Sequence, residues 1–243
     1  MVVEGFSSHG SRVMQMKNAV ALVTGANRGL GRAFAQGLLE RGARKVYAAA
    51  REPSSVDIPG VIPVRLDVTR PEQLEALVRE AGDVSLLINN AGILKGTSLL
   101  GQDALAAARA ELETNYLGPL ATSSAFAPVL AKNGGGAILN VLSVLSWMAF
   151  PGSASYSASK AAAWALTNGL RKELAAQKTQ VVALHVGYMD TDMAHKVTAP
   201  KSSPADVVRQ TLDAIEAGQD EVLADEVSRN VKQGLSAGVY LQR

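Results

Sequence analysis

The run Ala19-Val20-Ala21-Leu22-Val23-Thr24-Gly25-Ala26-Asn27-Arg28-Gly29-Leu30-Gly31 decides the fold. Its first part, Ala19 to Thr24, is a short apolar stretch closed by glycine, which predicts a buried strand. Leu30 to Arg41 has helical spacing and stops at Gly42. Strand, glycine turn and helix follow without a break. Glycines let such a turn bend tightly and approach a pyrophosphate, and the helix N-terminus offers that anion free N–H groups. The candidates to hold it are Gly25, Asn27, Arg28, Gly29, Leu30 and Gly31.

Outward from this unit the same alternation continues. Apolar strands are predicted over Lys45–Ala50, Val61–Leu66, Val84–Ile88, Gly136–Leu142, Val181–Val186 and Glu221–Ala224. Thr69-Arg70-Pro71-Glu72 reads as a helix start, with threonine as the cap, for a helix running to about Ala81. Asp103–Ala131 reads as two helices meeting near Gly118-Pro119, Ser153–Gln177 as one long helix, and Pro204–Ala217 as another. Strands apolar on both faces, each followed by a helix, imply a parallel sheet covered on both sides. The expected architecture is a single Rossmann-type three-layer α/β/α sandwich with a seven-stranded parallel sheet, over residues 18–243. Residues 1–17 carry no periodicity and are read as a leader or disordered tail.

Composition narrows the function. The 243 residues carry a net charge of only +2 and no basic run, which argues against a nucleic-acid partner. The absence of cysteine rules out disulfides and a thiol nucleophile and fits a cytoplasmic protein. No apolar run approaches the ~18 residues of a membrane span. The histidines His9, His185 and His195 are too scattered to hold a metal, and His185 reads as a core histidine. A metal at Asp190 and Asp192 is less economical than a polar loop cap.

The tip of the second strand discriminates between nucleotides. NAD-binding chains place a carboxylate there for the ribose hydroxyls. Here the tip reads Ala48-Ala49-Ala50-Arg51. Arg51 and Arg28 are suited to a 2′-phosphate, which favours NADP(H), with NAD(H) as the alternative. Further along, Tyr156 and Lys160 stand one helical turn apart and so share a face. A cation beside a phenol favours its ionised form, and a tuned tyrosine can exchange a proton with a carbonyl or alcohol oxygen.

Together these residues resemble the short-chain dehydrogenase/reductase family over Ala19 to about Ala224. The matching pieces are Thr24–Gly31, Asp67-Val68, Asn89-Asn90-Ala91-Gly92, Asn115, Ser143, and Tyr156 with Lys160. The resemblance implies that Tyr156 is the general acid/base and that Lys160 binds the nicotinamide ribose and lowers the tyrosine's pKa. It implies that Ser143 holds the substrate oxygen and that Asn115 supports a water linking Lys160 to solvent. Asp67 and Val68 would contact adenine, Asn89 to Gly92 the adenosine side, and Gly187, Met189 and Thr191 the nicotinamide side. It also implies a homodimer or homotetramer.

Two departures stand out. The family's Pro-Gly after the sixth strand is Val186-Gly187 here, which should loosen that turn. The stretch from Thr191 to Pro204 leaves room only for a short lid. Trp147, Met148, Phe150, Leu94, Tyr188 and Met193 are expected to line an apolar pocket, the first three alternatively packing at a subunit contact. Ser146 competes with Ser143 for the substrate oxygen. The resulting expectation is an NADP(H)-dependent oxidoreductase acting on a small carbonyl or alcohol. The alternatives are an NAD-linked alcohol dehydrogenase and a catalytically silent nucleotide sensor or scaffold of the same fold.

Overall fold

The structure, a computed structural model, describes residues 14–195 and 198–241. Seven strands form one parallel sheet: β1 (Val20–Thr24), β2 (Lys45–Ala50), β3 (Ile62–Arg65), β4 (Leu86–Asn89), β5 (Gly136–Val141), β6 (Thr179–His185) and β7 (Glu221–Leu223). Their spatial order is β3-β2-β1-β4-β5-β6-β7. The order reverses between β1 and β4, and a crevice opens beyond the C-terminal ends of strands at such a point. The two edge strands depart from two-sided burial: in β3 only Val64 is buried and in β7 only Val222, and Pro63 is tolerated in β3 because one side of that strand is unpaired.

Helices cover both faces. Helices α1 (Gly29–Glu40) and α6 (Pro204–Glu216) share one face, where Phe34, Leu38, Val207 and Leu212 pack on Val23, Ile88 and Leu184. The other face is covered by α2 (Pro71–Glu80), α4 (Gly118–Lys132) and α5 (Ala154–Glu173), with Leu77, Phe126 and Leu170 packed on Leu22, Leu87 and Val181. Helix α3 (Ala104–Leu112) does not break from α4 at Gly118-Pro119. A π-helical turn, Glu113–Leu117, joins them into one rod. Pro119, which has no N–H to donate, falls where the i→i+5 bonding of that turn gives way to α4.

Three expectations are corrected. Thr69 is not the cap of α2; Arg70 takes that position, while the Thr69 hydroxyl donates to Asp67 Oδ1 at 2.8 Å. A polar side chain two residues from a carboxylate closes a local turn in place of the cap. Met16, expected in the leader or tail, belongs to the fold. Residues 1–13 lie outside the described residues, but Met16 is fully buried and its N–H donates to Glu216 Oε1 at 2.8 Å. Helix α7 (Glu226–Gly234), past the last predicted strand, has no counterpart in the sequence reading. Among the described residues no helix is long and apolar enough to cross a membrane.

Candidate active site

The phosphate loop is built by close backbone approach. Gly25 and Gly29 adopt φ of +65° and +53°, a region costly for residues with a Cβ. At Gly31 an added Cβ would lie 2.2 Å from the Gly25 carbonyl oxygen, so helix and turn touch only because the side chain is absent. Thr24 and Asn90 then strap this loop to the end of β4. The Thr24 hydroxyl accepts from the N–H groups of Asn90 and Ala91, both at 3.0 Å, and donates to the Ile88 carbonyl. Asn90 Nδ2 donates to the carbonyls of Thr24 and Gly25. Leu30 packs in the core, which leaves its backbone toward the turn, and Asn27 is half-buried.

The crevice is basic beside the phosphate loop and the tip of β2. Arg28 and Arg51 are exposed, and Arg28 makes only a 3.5 Å contact with Asp192. Asp67 is held below the usual carboxylate range. Burial pushes it up, but the Thr69 hydroxyl and N–H together with Arg51 and Arg70 outweigh this. Val68 packs on the start of α4, where a Cβ on Gly118 would fall 2.8 Å from Val68 Cγ2.

The Asn89 side chain faces the interior. Its side chain bonds Asn140, Ser123 and Thr122 in a buried network that continues from Asn140 to Thr167. That side chain is spent on joining β4 to β5 and α4, so only its backbone can serve a cofactor.

The other candidate residues converge at the ends of β4, β5 and β6. Ser143 follows β5 in extended conformation, 8% exposed, and its Oγ accepts from the Leu145 N–H at 3.1 Å. Ser146 faces back: its Oγ accepts from the Ser143 N–H, so the two serines cap the turn reciprocally, and the Ser143 hydroxyl is the one that draws on Tyr156. Lys160 is 5% exposed and donates to the Val141 carbonyl at 2.7 Å. Its Nζ stands 5.7 Å from the centre of the Tyr156 ring. Burial lowers the Lys160 pKa to about 8.

Tyr156 departs from the expected tuning. Burial pushes its pKa well above the ordinary phenol value, the Ser143 hydroxyl draws it down, and Glu111 pushes it up. Within the protein's own groups the desolvation outweighs the help of neighbouring donors, and the ammonium spends its shortest contact on Val141 rather than on the phenol.

Asn115 lies inside the π-helical turn, 1% exposed. Its Oδ1 accepts from the Ile93 N–H at 2.8 Å, and its Nδ2 donates to the Ile93 carbonyl and to Ser159 Oγ, both at 2.9 Å. Ser159 in turn donates to the Tyr156 carbonyl. A Cβ on Gly92 would lie 3.2 Å from Asn115 Oδ1 and 3.7 Å from Lys160 Nζ, so these three residues meet. π-turns of this kind recur at functional sites.

The turn that lacks proline is not loose. The Gly187 N–H donates to Asp225 Oδ2 at 2.6 Å, while Asp225 Oδ1 caps α7. Beyond it, Asp190 and Ser202 close the base of a short lid, with Asp190 N–H to Ser202 O at 3.1 Å and Ser202 N–H to Tyr188 O at 2.8 Å. Met189 packs against the core. Thr191 Cγ2 would meet a Cβ on Gly29 at 3.4 Å, which brings the sixth-strand loop over the phosphate loop.

Trp147 is 9% exposed and lies between His185 and Trp164, so it is core rather than pocket, and Met148 packs beside it. Leu94, Phe150 and Tyr188 are exposed, at 38%, 47% and 48%, on the loops after β4, β5 and β6. His185 is the core histidine expected from its strand, fully buried, while Glu111 and Asp225 have no counterpart in the sequence reading. The spacing of Glu111 to Asn115, one turn apart, was the only available sign. Among the described residues no cluster of His, Cys, Asp and Glu could hold a metal ion.

Comparison with known proteins agrees with this geometry. A family model for short chain dehydrogenases matches residues 19–202. The chain is 34% identical over 189 residues to the 3-oxoacyl-acyl-carrier-protein reductase FabG of Vibrio cholerae, covering 74% of this chain and 77% of that protein. A short chain dehydrogenase from Burkholderia cenocepacia J2315, solved with NADP, superposes with a TM-score of 0.89 at 45% identity, covering 93% of this chain and 95% of that one. A relative from Burkholderia phymatum, solved with NAD, shares the fold at 24% identity, with a TM-score of 0.82 over 92% of this chain and 96% of that one. The chain belongs to the short-chain dehydrogenase/reductase family of oxidoreductases.

Proposed function

We propose that the protein is an NADP(H)-dependent oxidoreductase that interconverts a carbonyl and an alcohol, with Tyr156 as general acid/base. The observation that carries this is the meeting of Tyr156, Ser143 and Lys160 at the sheet edge that also carries the phosphate loop. The cradle fits a dinucleotide: Gly31 admits no Cβ, Gly25 and Gly29 supply the positive φ of the turn, and Arg28 and Arg51 are exposed beside it, Arg28 with only its 3.5 Å contact to Asp192. Gly25 to Gly31 would hold the pyrophosphate, Arg28 and Arg51 a 2′-phosphate, Asp67 and Val68 the adenine, Asn90 to Gly92 the neighbouring ribose, and Lys160, Gly187, Met189 and Thr191 the nicotinamide half. The nicotinamide, when bound, supplies or accepts the hydride. The NADP seen with the Burkholderia cenocepacia relative supports the cofactor, and the reductase activity named for the FabG relative supports a C=O group as substrate.

During reduction the carbonyl oxygen gains negative charge. Ser143 donates a hydrogen bond to it, and Tyr156 donates the proton that completes the alcohol. In the reverse direction Tyr156 takes that proton back. The high pKa of Tyr156 keeps the phenol protonated, as an acid must be before it donates. Lys160, easily deprotonated for a lysine and next to Asn115 and Gly92, can return a proton to the phenol from the far side. The apolar rim of Leu94, Phe150 and Tyr188 favours a substrate with an apolar body.

The test is consumption of NADPH by the purified protein across a panel of ketones and aldehydes, followed by absorbance. Turnover on at least one carbonyl is expected, and Tyr156→Phe should cut it by about 10²–10⁴-fold while leaving NADPH affinity within a few fold. NADPH binding with no turnover across the panel, or near-normal turnover by the Phe variant, would overturn the assignment.

A further inference from the structure

His185 is fully buried at the end of β6, and its ring does more than fill space. Nδ1 lies 3.1 Å from the carbonyl oxygen of Ser143. The ring stacks on Trp147 at 3.8 Å between centroids with 18° between planes. Its other edge faces β7, where Nε2 stands 3.7 Å from Glu221 Oε1 without a hydrogen-bond partner. Glu221 is itself paired with Lys232 of α7 at 2.8 Å, and that ammonium sits 5.0 Å over the Trp147 ring. The backbone is tied as well: the His185 carbonyl accepts from the Ala224 N–H.

A carbonyl oxygen only accepts, so Nδ1 must carry the proton at this contact. The Ser143 peptide is thereby held on both sides. Its N–H donates to Ser146 Oγ, and its carbonyl accepts from the Ser146 N–H and from His185. The Ser146 bonds are local to the turn. His185 is the side-chain donor among these that stands on the next strand, and its bond adds to those that hold the turn against the end of β6: Leu142 N–H to the Leu184 carbonyl at 2.8 Å, Val144 N–H to the Val186 carbonyl at 3.1 Å, and the Ser143 hydroxyl to the Val186 carbonyl at 3.4 Å.

We propose that His185 is a positioning residue for Ser143: its Nδ1–H fixes the serine's peptide plane, and through it the direction of the hydroxyl that meets the substrate oxygen. Burial lowers the His185 pKa to about 4, with the Ser143 carbonyl and Glu221 opposing and Lys232 and Lys160 assisting, so the ring stays neutral through the working range. Its neutral form is the Nδ1–H tautomer. The catalytic part of this proposal rests on the oxidoreductase reading; the tautomer does not.

Two measurements test it. Long-range proton–nitrogen NMR on the labelled protein, with His185→Phe to assign the resonance, should show the Nδ1–H tautomer of His185 unchanged from pH 5.5 to 8, a range set by the ring's ordinary titration. The Nε2–H tautomer, or a charged ring in that range, would overturn the proposal. On whichever carbonyl of the panel the wild type reduces fastest, His185→Phe keeps the stacking ring but has no donor and should lose about 10–100-fold in kcat, as displacement of a positioned group does, with NADPH affinity unchanged. His185→Asn restores an N–H near the Nδ1 position and should recover most of that loss. Equal kcat in wild type and the Phe variant, or Asn no better than Phe, would refute the positioning role. A wild type inert on every carbonyl would instead count against the oxidoreductase reading, and the NMR result would still decide the tautomer.

Discussion

Replacing Lys160 by methionine should flatten part of the pH dependence of stability. The lysine is 5% exposed, and burial brings its pKa from 10.5 to about 8. That fall corresponds to about 3 kcal/mol of differential solvation between charged and neutral forms. Below pH 8 both folded and unfolded chains carry the proton, and the full cost of the buried charge is present and constant. As pH rises from 8 toward 10.5 the folded state releases its proton first, the unfolded state binds more protons, and stability climbs. Tyr156 acts in the opposite sense above its unfolded value of 10.0, because its folded pKa is raised, so the comparison should stop near pH 10. Between pH 7 and 10 the wild type should therefore gain about 2–3 kcal/mol that Lys160→Met does not, or about 5–10 °C in relative Tm for a chain of this size. Using the change with pH removes the pH-independent effect of losing the 2.7 Å bond to Val141. Thermal melts of both proteins across this range are the assay. Parallel Tm curves would show that the ammonium is not desolvated and would refute the argument.

Thr24→Val keeps the shape of a buried side chain but orphans the Ala91 N–H and removes the bond to the Ile88 carbonyl. The expected loss is about 2–4 kcal/mol by chemical denaturation, with weaker NADPH binding, and Thr24→Ser should restore most of both. Unchanged stability in the valine variant would mean that the phosphate loop does not depend on this strap. Arg51→Ala should lower NADPH affinity by about 10–100-fold, the worth of a hydrogen bond between charged groups, and leave NADH affinity alone. An equal effect on both nucleotides, measured by fluorescence titration, would remove Arg51 from the 2′-phosphate site.

The parts of the fold legible in the sequence are those where chain-local physics decides the outcome. The strand from Val20, the glycine turn and the helix from Gly29 follow from short-range apolar pattern and backbone freedom, and the structure keeps them. Tyr156 and Lys160 were readable as a pair because one helical turn separates them. Asn89 and Asn90 were not separable by sequence: one faces the interior network and the other the phosphate loop, because successive strand residues point to opposite faces. Glu111 sits in an alanine-rich helix and reads as a solvated charge, yet it is fully buried and accepts from the Lys95 N–H at 2.7 Å. Only tertiary packing determines that. The firm Val186-Gly187 turn depends on Asp225, 38 residues away from Gly187, a partner no local pattern can announce.

The π-helical turn at Glu113–Leu117 has a consequence for the whole rod from Ala104 to Lys132. Its i→i+5 bonding takes up one residue more than an α-helical turn would, and does so locally. The two halves of the rod therefore keep a common phase: Glu111 above still meets the Lys95 N–H, and Thr122 below still meets Asn89. Removing the surplus residue would let regular coiling resume with both halves in place, and the loss would fall on the turn itself, where Asn115 reaches Ile93 and Ser159. The spare residue thus acts as a blister in the rod, presenting one amide to its neighbours while the packing on either side goes undisturbed.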